Sequence, residues 1–274
     1  MDNLSPDPTR LKILCCNIRK DVPADRESGD NWDARKEFCA EVIVAQGPDV
    51  ICLQECGAEH FTDLRSRLPE FETFGMSNPG AVFNPTNAIL FLRDHYELIS
   101  AGGFWLSETP HVAGTKSWDS KNSRFCNWVD LRDRSFGREF RVWNFHLDHI
   151  GQTARERQAQ LIVEAANAMS EDLVQFFTAD FNADAANPAY DVVKAGGWLD
   201  TYAAIHGPDD PGFTFHAFLG PKFPESRLPD TVKGKIDFIF SRGPVKTLDA
   251  EIIRDGRNGR YPSDHYFVSA EVAL

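Results

Sequence analysis

Short apolar runs recur along this chain, and most of them end in a polar or acidic side chain. The runs have strand length and are flanked by residues typical of turns, so each predicts a buried strand. They are residues 11–16, 50–53, 88–92, 141–145, 172–178 and 235–240, with a shorter apolar run at 266–268. The pattern favours a strand-rich protein.

Segments with helical spacing of apolar residues lie between several of these runs. Residues 32–46 follow the capping pair Asp30-Asn31 and stop at Gly47-Pro48. Residues 155–169 carry a second apolar stripe, residues 61–68 a shorter one, and Asn187-Pro188 begins a short helix that stops at Gly196-Gly197. Strands and helices therefore alternate, as in an α/β protein. Residues 104–124 show no clear period and predict an irregular loop, either substrate-facing or packed on the surface.

The 274 residues carry strand-like runs from one end to the other and contain no Gly-, Ser- or Pro-rich linker. We therefore expect a flexible segment over residues 1–10 and one catalytic domain over residues 11–274. No run approaches the length needed to cross a bilayer, and the first ten residues lack the apolar core of a signal peptide. We expect a cytoplasmic protein with no membrane partner, in which the six cysteines are reduced and behave as small hydrophobic residues.

The formal net charge of -12 bears on the partners of the protein. A strongly acidic chain repels polyanions, so long nucleic acid is not the favoured partner, although a local basic groove remains compatible with the charge. Some of the acidic residues are also suited to bind a divalent cation, whose positive charge offsets theirs.

Polar side chains follow the apolar runs closely enough to predict one shared site. They are Asn17, Glu55, His146, Asp180, Asn182, Asp237, Asp264 and His265. Any one of them has a structural alternative, such as a turn at Asn17 or an arginine ion pair at Glu55. In α/β proteins, however, strand ends commonly combine to form the active site.

Three of these residues suit metal-assisted hydrolysis. Glu55 and the amide oxygen of Asn17 are hard oxygen ligands of the kind that Mg²⁺ prefers, with Mn²⁺ as an alternative ion. Asp180 is then available to align or deprotonate a water molecule.

The remaining residues suit stabilisation of a phosphoryl group. Asn182 can donate to a developing oxyanion, and His146 and His265 to phosphoryl oxygens or a leaving group. Either Asp237 or Asp264 can steady His265. Signatures of a serine-hydrolase elbow, a P-loop and a dinucleotide-binding loop are absent from the sequence.

Taken in order, these motifs resemble the endonuclease/exonuclease/phosphatase superfamily. The motifs that carry the resemblance are Asn17 after the first strand, Leu53-Gln54-Glu55, Asn144-Phe145-His146-Leu147-Asp148, Asp180-Phe181-Asn182, Lys235-Ile236-Asp237-Phe238-Ile239-Phe240 and Ser263-Asp264-His265. Ala179 and Phe145 depart from the glycine and threonine common in the family, but neither change removes a functional group.

The resemblance implies a four-layer α/β/β/α sandwich of two mostly antiparallel sheets flanked by helices. It implies Mg²⁺ or Mn²⁺ held by Glu55 with Asn17, and adds Asp264 as a ligand. It also implies that Asp180 activates water, that Asn182 and His146 contact the phosphate, and that His265 stabilises the transition state.

The segment around Phe104-Trp105 and Ser117-Trp118-Asp119 further resembles a bacterial branch of metal-dependent hydrolases, some of which act on sugar phosphates. The same catalytic core also serves nucleases. We therefore expect hydrolysis of a small phosphorylated or sugar-phosphate substrate, with a DNA or RNA nuclease as the alternative and a non-catalytic binding module as the least favoured. Expected substrate contacts are Arg93, Trp105, Arg124 and Asp148.

Overall fold

The computed structural model of the protein describes residues 10–75, 87–209, 211–224 and 234–274. Residues 1–9 of the expected flexible segment lie outside these ranges, and Arg10 already belongs to the first strand. The strands are β1 (Arg10–Asn17), β2 (Val50–Gln54), β3 (Phe71–Phe74), β4 (Ile89–Leu92), β5 (Tyr96–Trp105), β6 (Phe125–Asp133), β7 (Glu139–His146), β8 (Val174–Asp180), β9 (Leu199–Asp200), β10 (Asp237–Arg242), β11 (Lys246–Ile253) and β12 (Phe267–Ala273). The α-helices are α1 (Pro23–Ser28), α2 (Trp32–Ala45), α3 (Ala58–Arg67), α4 (Gln152–Asn167), α5 (Pro188–Ala195) and α6 (Thr201–His206).

The strands form two six-stranded sheets. One has the order β11-β12-β1-β2-β4-β3 and the other β5-β6-β7-β8-β10-β9. Each sheet contains one parallel pair, β1 with β2 and β7 with β8, and its other neighbours are antiparallel. The parallel pairs are joined by the crossover helices α2 and α4, because a parallel connection must return the chain to the starting edge.

Three apolar clusters hold the layers together. The central cluster joins the inner faces of the two sheets, with Ile13, Cys52 and Phe176 among its members. A second cluster packs α4 and α5 on the outer face of one sheet, and a third packs α2 and α3 on the outer face of the other. The result is the expected α/β/β/α sandwich. All six cysteines are buried, which agrees with their expected behaviour as hydrophobic residues.

The strands and helices expected from the sequence are present, but β3, β5, β6, β9, β11, α1 and α6 were not predicted. Two regions also differ from their sequence pattern. Residues 104–124 were expected to be irregular throughout, but β5 continues through Trp105, so the irregular segment begins at Leu106 and ends before β6. Phe213 to Phe218 alternates in sequence, yet it contributes only an isolated bridge between Phe215 and His265. In the described ranges, no helix combines the length and apolar character needed to cross a bilayer.

Candidate active site

The eight polar residues predicted from strand ends meet at one edge of the sandwich, and strand direction explains why. Strands β1, β2, β7 and β8 end at this edge. Strand β12 is antiparallel to β1, and β10 is antiparallel to β8, so both of these strands begin there. Asp237 therefore pairs directly with Asp180 across the sheet, and Asp264 and His265 enter the site just before β12.

His265 is held between two carboxylates. Its Nδ1 lies 2.9 Å from Oδ2 of Asp237, and its Nε2 lies 3.9 Å from Oδ2 of Asp180. Burial alone lowers the pKa of His265, but the hydrogen-bonded Asp237 and the nearby Asp180 raise it to about 10. His265 is thus an imidazolium at neutral pH. Of the two aspartates that the sequence left open, Asp237 is its hydrogen-bonding partner.

Asp180 is the carboxylate on which the site converges. The Asn17 side-chain amide donates to its Oδ2 at 2.8 Å, and the Asn182 N–H donates to its Oδ1 at 2.8 Å. Burial and the neighbouring charge of Asp237 raise the pKa of Asp180. A carboxylate with a raised pKa is a stronger base than an exposed aspartate, and this suits abstraction of a proton from water.

His146 and Asn182 form a neutral hydrogen-bonding pair beside Asp180. The Asn182 side-chain amide lies 2.7 Å from Nε2 of His146 and also donates to the Leu147 carbonyl at 3.1 Å. Burial, followed by the charge of Arg124, lowers the pKa of His146 well below its usual value. The site therefore combines one neutral and one protonated histidine.

Glu55 fits the role of a metal ligand by its chemistry. It stands at the end of β2 with a positive φ of 56° and is only partly covered. Burial raises its pKa, but the Lys20 N–H, which donates to Oε2 at 3.0 Å, and the charge of Arg19 lower the pKa overall. A partly exposed carboxylate that remains ionised is a suitable hard ligand for Mg²⁺ or Mn²⁺.

The other two expected ligands are already engaged with the protein. The Asn17 amide oxygen accepts from the Arg19 N–H at 3.0 Å, which leaves it one lone pair, and the Asp264 carboxylate lies 3.4 Å from a guanidinium nitrogen of Arg19. Their roles as ligands stay predictions.

Asp180, Asp237 and His265 also bring three potential ligand atoms within 4.8 Å of one another. We interpret this cluster as a proton-transfer group because His265 is protonated and its Nδ1 is committed to Asp237. A metal ion requires a neutral imidazole. Glu55 therefore remains the better metal ligand.

Arg124 is the expected phosphate contact that the structure brings to the site. Its side chain is 13% exposed, and one terminal nitrogen lies 3.3 Å from Nδ1 of His149. Its buried Nε lies 3.9 Å from Oδ2 of Asp148, beyond hydrogen-bond distance, and the carboxylates that act on its charge are Asp148, then Asp180 and Glu55. A guanidinium beside the carboxylates of the site, with part of its side chain exposed, is suited to a phosphate oxygen.

Arg93 is not brought to the site. Strand β4 runs antiparallel to β2 and pairs Phe91 with Val50, so Arg93 lies at the end of the sheet opposite Glu55. There it donates to Glu72 at 3.1 Å on the surface. An apolar run in a sequence does not reveal the direction of its strand, which explains the incorrect placement.

Asp148 and Trp105 lie at the correct edge but are not available to a substrate. Asp148 is fully buried, and its oxygens accept from the N–H groups of Lys121, Asn122, Ile150 and Gly151. Burial raises its pKa, but these donors lower it to about 2. Trp105 is 7% exposed and packs edge-on against Phe125. Both residues support the loop that carries Arg124.

Two arginines of the site were missed by the sequence analysis. Arg19 joins Asp25 to Asp264, and the buried Arg35 donates to the carbonyls of Ile18 and Pro262 on either side of the site. Arg19 stands only two residues after Asn17, and this proximity was the available signal. Arg35 lies near the start of α2, on the surface of which an arginine normally faces solvent, so its position gave no signal.

Asp180 with its raised pKa, the protonated His265 with Asp237, and the ionised Glu55 lie at the common edge of the two sheets. These are the kinds of group that hydrolysis of a phosphate ester uses. Comparison with known proteins agrees with this class. A model of the endonuclease/exonuclease/phosphatase family matches residues 14–265, and the chain belongs to this family. Its members are hydrolases that act on phosphoester bonds.

Solved structures from Bacteroides are similar over nearly the full chain. An endonuclease/exonuclease/phosphatase from Bacteroides vulgatus is 29% identical, with a TM-score of 0.85, and the match covers 97% of this chain and 99% of that one. A mannosyl-6-phosphatase from Bacteroides thetaiotaomicron is 29% identical, with a TM-score of 0.86, over 96% of this chain and 100% of that one. Nocturnin of Drosophila melanogaster is 26% identical over 90% of this chain, which spans only 43% of the Drosophila protein.

Proposed function

We propose that this protein is a divalent-metal-dependent phosphoesterase that acts on a small phosphorylated compound, with a sugar phosphate as the first candidate. The observation that carries the substrate class is the 29% identity to a mannosyl-6-phosphatase, which extends over 96% of this chain and 100% of that one. The net charge of -12 supports the same class because it disfavours a long polyanion.

In this proposal, Asp180 accepts the proton of the attacking water. Its carboxylate is oriented by Asn17 and the Asn182 N–H, and its raised pKa makes it a competent base. His265, protonated through Asp237, donates to the phosphoryl group or the leaving oxygen. The hydrogen bond to Asp237 holds the imidazole in place, so little reorganisation is needed during the reaction.

The remaining groups bind the phosphate. Arg124, whose side chain is 13% exposed, donates from its guanidinium to a phosphoryl oxygen, and Asn182 with the neutral His146 provides uncharged hydrogen-bonding groups. Glu55 and Asn17 hold a Mg²⁺ or Mn²⁺ ion, which supplies Lewis-acid neutralisation of the phosphoryl charge when bound.

The test is a panel of phosphomonoesters, including hexose 6-phosphates, and phosphodiesters, including abasic-site DNA and single-stranded RNA. Each substrate is assayed with Mg²⁺, with Mn²⁺ and with a chelator. We expect metal-dependent release of phosphate from small monoesters, and His265→Ala lowers turnover by on the order of a thousandfold, which excludes a contaminating phosphatase. Cleavage of DNA or RNA without monoester hydrolysis would overturn the substrate class.

Two arginines provide a matched pair of variants for the same assay. Arg124→Ala removes a buried phosphate donor, and we expect kcat/KM to fall by about a hundredfold or more. Arg93→Ala removes the same side chain from the opposite end of the sheet, and we expect kcat/KM to change by less than about twofold. Equal effects of the two substitutions would remove Arg124 from the phosphate site.

A further inference from the structure

The backbone of Arg19 is held in an unusual conformation beside the site. Arg19 has a φ of 56°, in the left-handed region that a residue with a side chain rarely adopts. Its N–H donates to the Asn17 amide oxygen at 3.0 Å, and its carbonyl accepts from Arg35 and lies 3.1 Å from Nε2 of His60. Three contacts thus fix a conformation that costs free energy, and such strain concentrates at functional positions.

The side chain of Arg19 joins two buried carboxylates. Its Nε and one terminal nitrogen donate to the two oxygens of Asp25 at 3.1 and 3.3 Å. The other terminal nitrogen lies 3.4 Å from Oδ2 of Asp264. The side chains of Asp25 and Asp264 are 8% and 4% exposed, whereas that of Arg19 is 28% exposed. The guanidinium therefore neutralises both acids while more than a quarter of its side chain stays exposed.

The charge of Arg19 lies between carboxylates that a second cation would need as ligands. Hydrolases with two metal ions hold them about 4 Å apart, so that the attacking and leaving oxygens are both stabilised. A second ion requires carboxylate ligands beyond those of the first, and here Asp25 and Asp264 are the nearby acids already paired with Arg19. The charge of Arg19 also acts on the Glu55 carboxylate.

We propose that the guanidinium of Arg19 is a built-in second cation, which limits the centre to one divalent ion and supplies positive charge to the phosphoryl group from the Asp264 side. The inference rests on the proposed function for the role of that charge. The ion count, however, depends only on the arrangement of Arg19, Asp25 and Asp264.

The experiment counts Mn²⁺ in the metal-depleted protein by calorimetric titration and by electron paramagnetic resonance. Two Mn²⁺ ions about 4 Å apart give a spin-coupled signal, which separates a two-ion centre from weak binding elsewhere on the surface. We expect the wild-type protein to bind one ion at the centre without a coupled signal. A coupled pair in the wild type would overturn the proposal without any variant being needed.

Variants then test whether Arg19 is the cause. Arg19→Met removes the charge, keeps much of the apolar stem and leaves Asp25 and Asp264 unpaired, so we expect a second ion and a coupled signal. We expect Asp25→Asn, added to Arg19→Met, to abolish the coupled signal. Arg19→Lys keeps the positive charge, so we expect it to bind one Mn²⁺ ion, as the wild type does. A folded Arg19→Met protein, verified by its thermal transition, that still binds one ion would overturn the proposal.

Arg141→Met is the matched control. Arg141 is largely buried and donates to both oxygens of Asp130, as Arg19 does to Asp25, but no second carboxylate of the active site is involved. We expect this variant to bind one ion. If the phosphoesterase assay fails while the ion counts follow this pattern, the proposed function is wrong and the assignment of Arg19 stands.

Discussion

The two active-site histidines differ in charge because their nearest neighbours differ. Both are buried, and burial disfavours the charged form of each. His265 overcomes that cost through a 2.9 Å hydrogen bond to Asp237. The Nε2 of His146 lies 2.7 Å from the neutral amide of Asn182 and 3.3 Å from Oδ2 of Asp180, but the positive charges of Arg124 and His265 add to burial and keep its pKa low. One histidine is therefore cationic and the other neutral because the charges around them differ.

Asp237→Asn tests this assignment directly. The substitution keeps the shape of the side chain but removes the charge that keeps His265 protonated, so we expect the pKa of His265 to fall substantially from about 10. Turnover should decrease by on the order of a thousandfold, as when the orienting aspartate of a catalytic histidine is lost. Histidine NMR titration of the metal-depleted protein and steady-state kinetics measure the two effects.

Asp264→Asn is the control for that experiment. Asp264 raises the pKa of His265 only through its charge, and its effect is smaller than that of Asp237. We expect the histidine to remain protonated at neutral pH in this variant. A larger fall of the pKa in Asp264→Asn than in Asp237→Asn would reverse the roles that the structure gives to the two aspartates.

At the scale of elements, strand direction decided which sequence predictions held. The polar residues after β1, β2, β7 and β8 were predictable because a buried strand that ends in a carboxylate needs a partner or a cation there. Arg93 failed because β4 runs the other way. Strand β5 was missed because it is an edge strand in which residues 97–104 are exposed or partly exposed. Strand β6 was missed because its buried positions alternate with partly exposed ones, which leaves no continuous apolar run.

Helix α2 connects the core to the site through Arg35. Its guanidinium donates to the carbonyls of Asp30, Ile18, Pro262 and Arg19, which fixes the segments after β1 and before β12 relative to each other. A lysine has one ammonium group and cannot reach this spread of acceptors. The role of Arg35 could not be predicted because it depends on carbonyls more than two hundred residues apart in the chain.

We expect Arg35→Lys to lower kcat by at least about tenfold at a temperature where the protein remains folded. The buried carbonyls left unpaired should also lower the free energy of unfolding by about 1–3 kcal/mol. Arg141→Lys serves as the control because it alters another buried guanidinium, which is bound to Asp130 away from the site. Kinetics and urea unfolding of both variants distinguish positioning of the site from general stabilisation; an equal loss of kcat in the two would contradict the positioning role.

The whole molecule depends on polar contacts that cross between the two sheets. Gln54, which precedes Glu55, donates to Asn144 at 2.6 Å, and Asn144 donates to the carbonyls of Leu53 and Ala88 at 3.0 and 2.8 Å. These groups are fully buried, so each unmade hydrogen bond is costly. These hydrogen bonds of Gln54 and Asn144 set the spacing between Glu55 on one sheet and His146 on the other. The motifs that contain Gln54 and Asn144 were visible in the sequence, but the contact between them was not.

Stability of the whole fold should also depend on histidines that are kept neutral. His60 is 3% exposed and stacks on Trp32 with ring centroids 4.2 Å apart. Burial and then the charge of Arg35 lower its pKa to about 4, from an unfolded value near 6.5. Because the folded pKa is the lower one, the unfolded state binds the proton first as the pH falls. The folded state therefore loses stability between about pH 6.5 and pH 4, and is unaffected by this group above pH 7.5.

His60→Gln removes that titration, and we expect it to reduce the loss of stability between pH 8 and pH 5.5. At pH 5.5, one unit below the unfolded pKa, the contribution of His60 amounts to about 1.4 kcal/mol. Urea unfolding gives the free energy that each protein loses between the two pH values. Subtracting the loss in the variant from the loss in the wild type cancels the effects of other titrating groups, such as Asp180 and His265. His111→Gln, an exposed position, controls for the substitution itself. If the wild type and His60→Gln lost the same free energy between the two pH values, His60 would have to be protonated within the fold, and the dominance of burial over its hydrogen bond to Arg19 would be wrong.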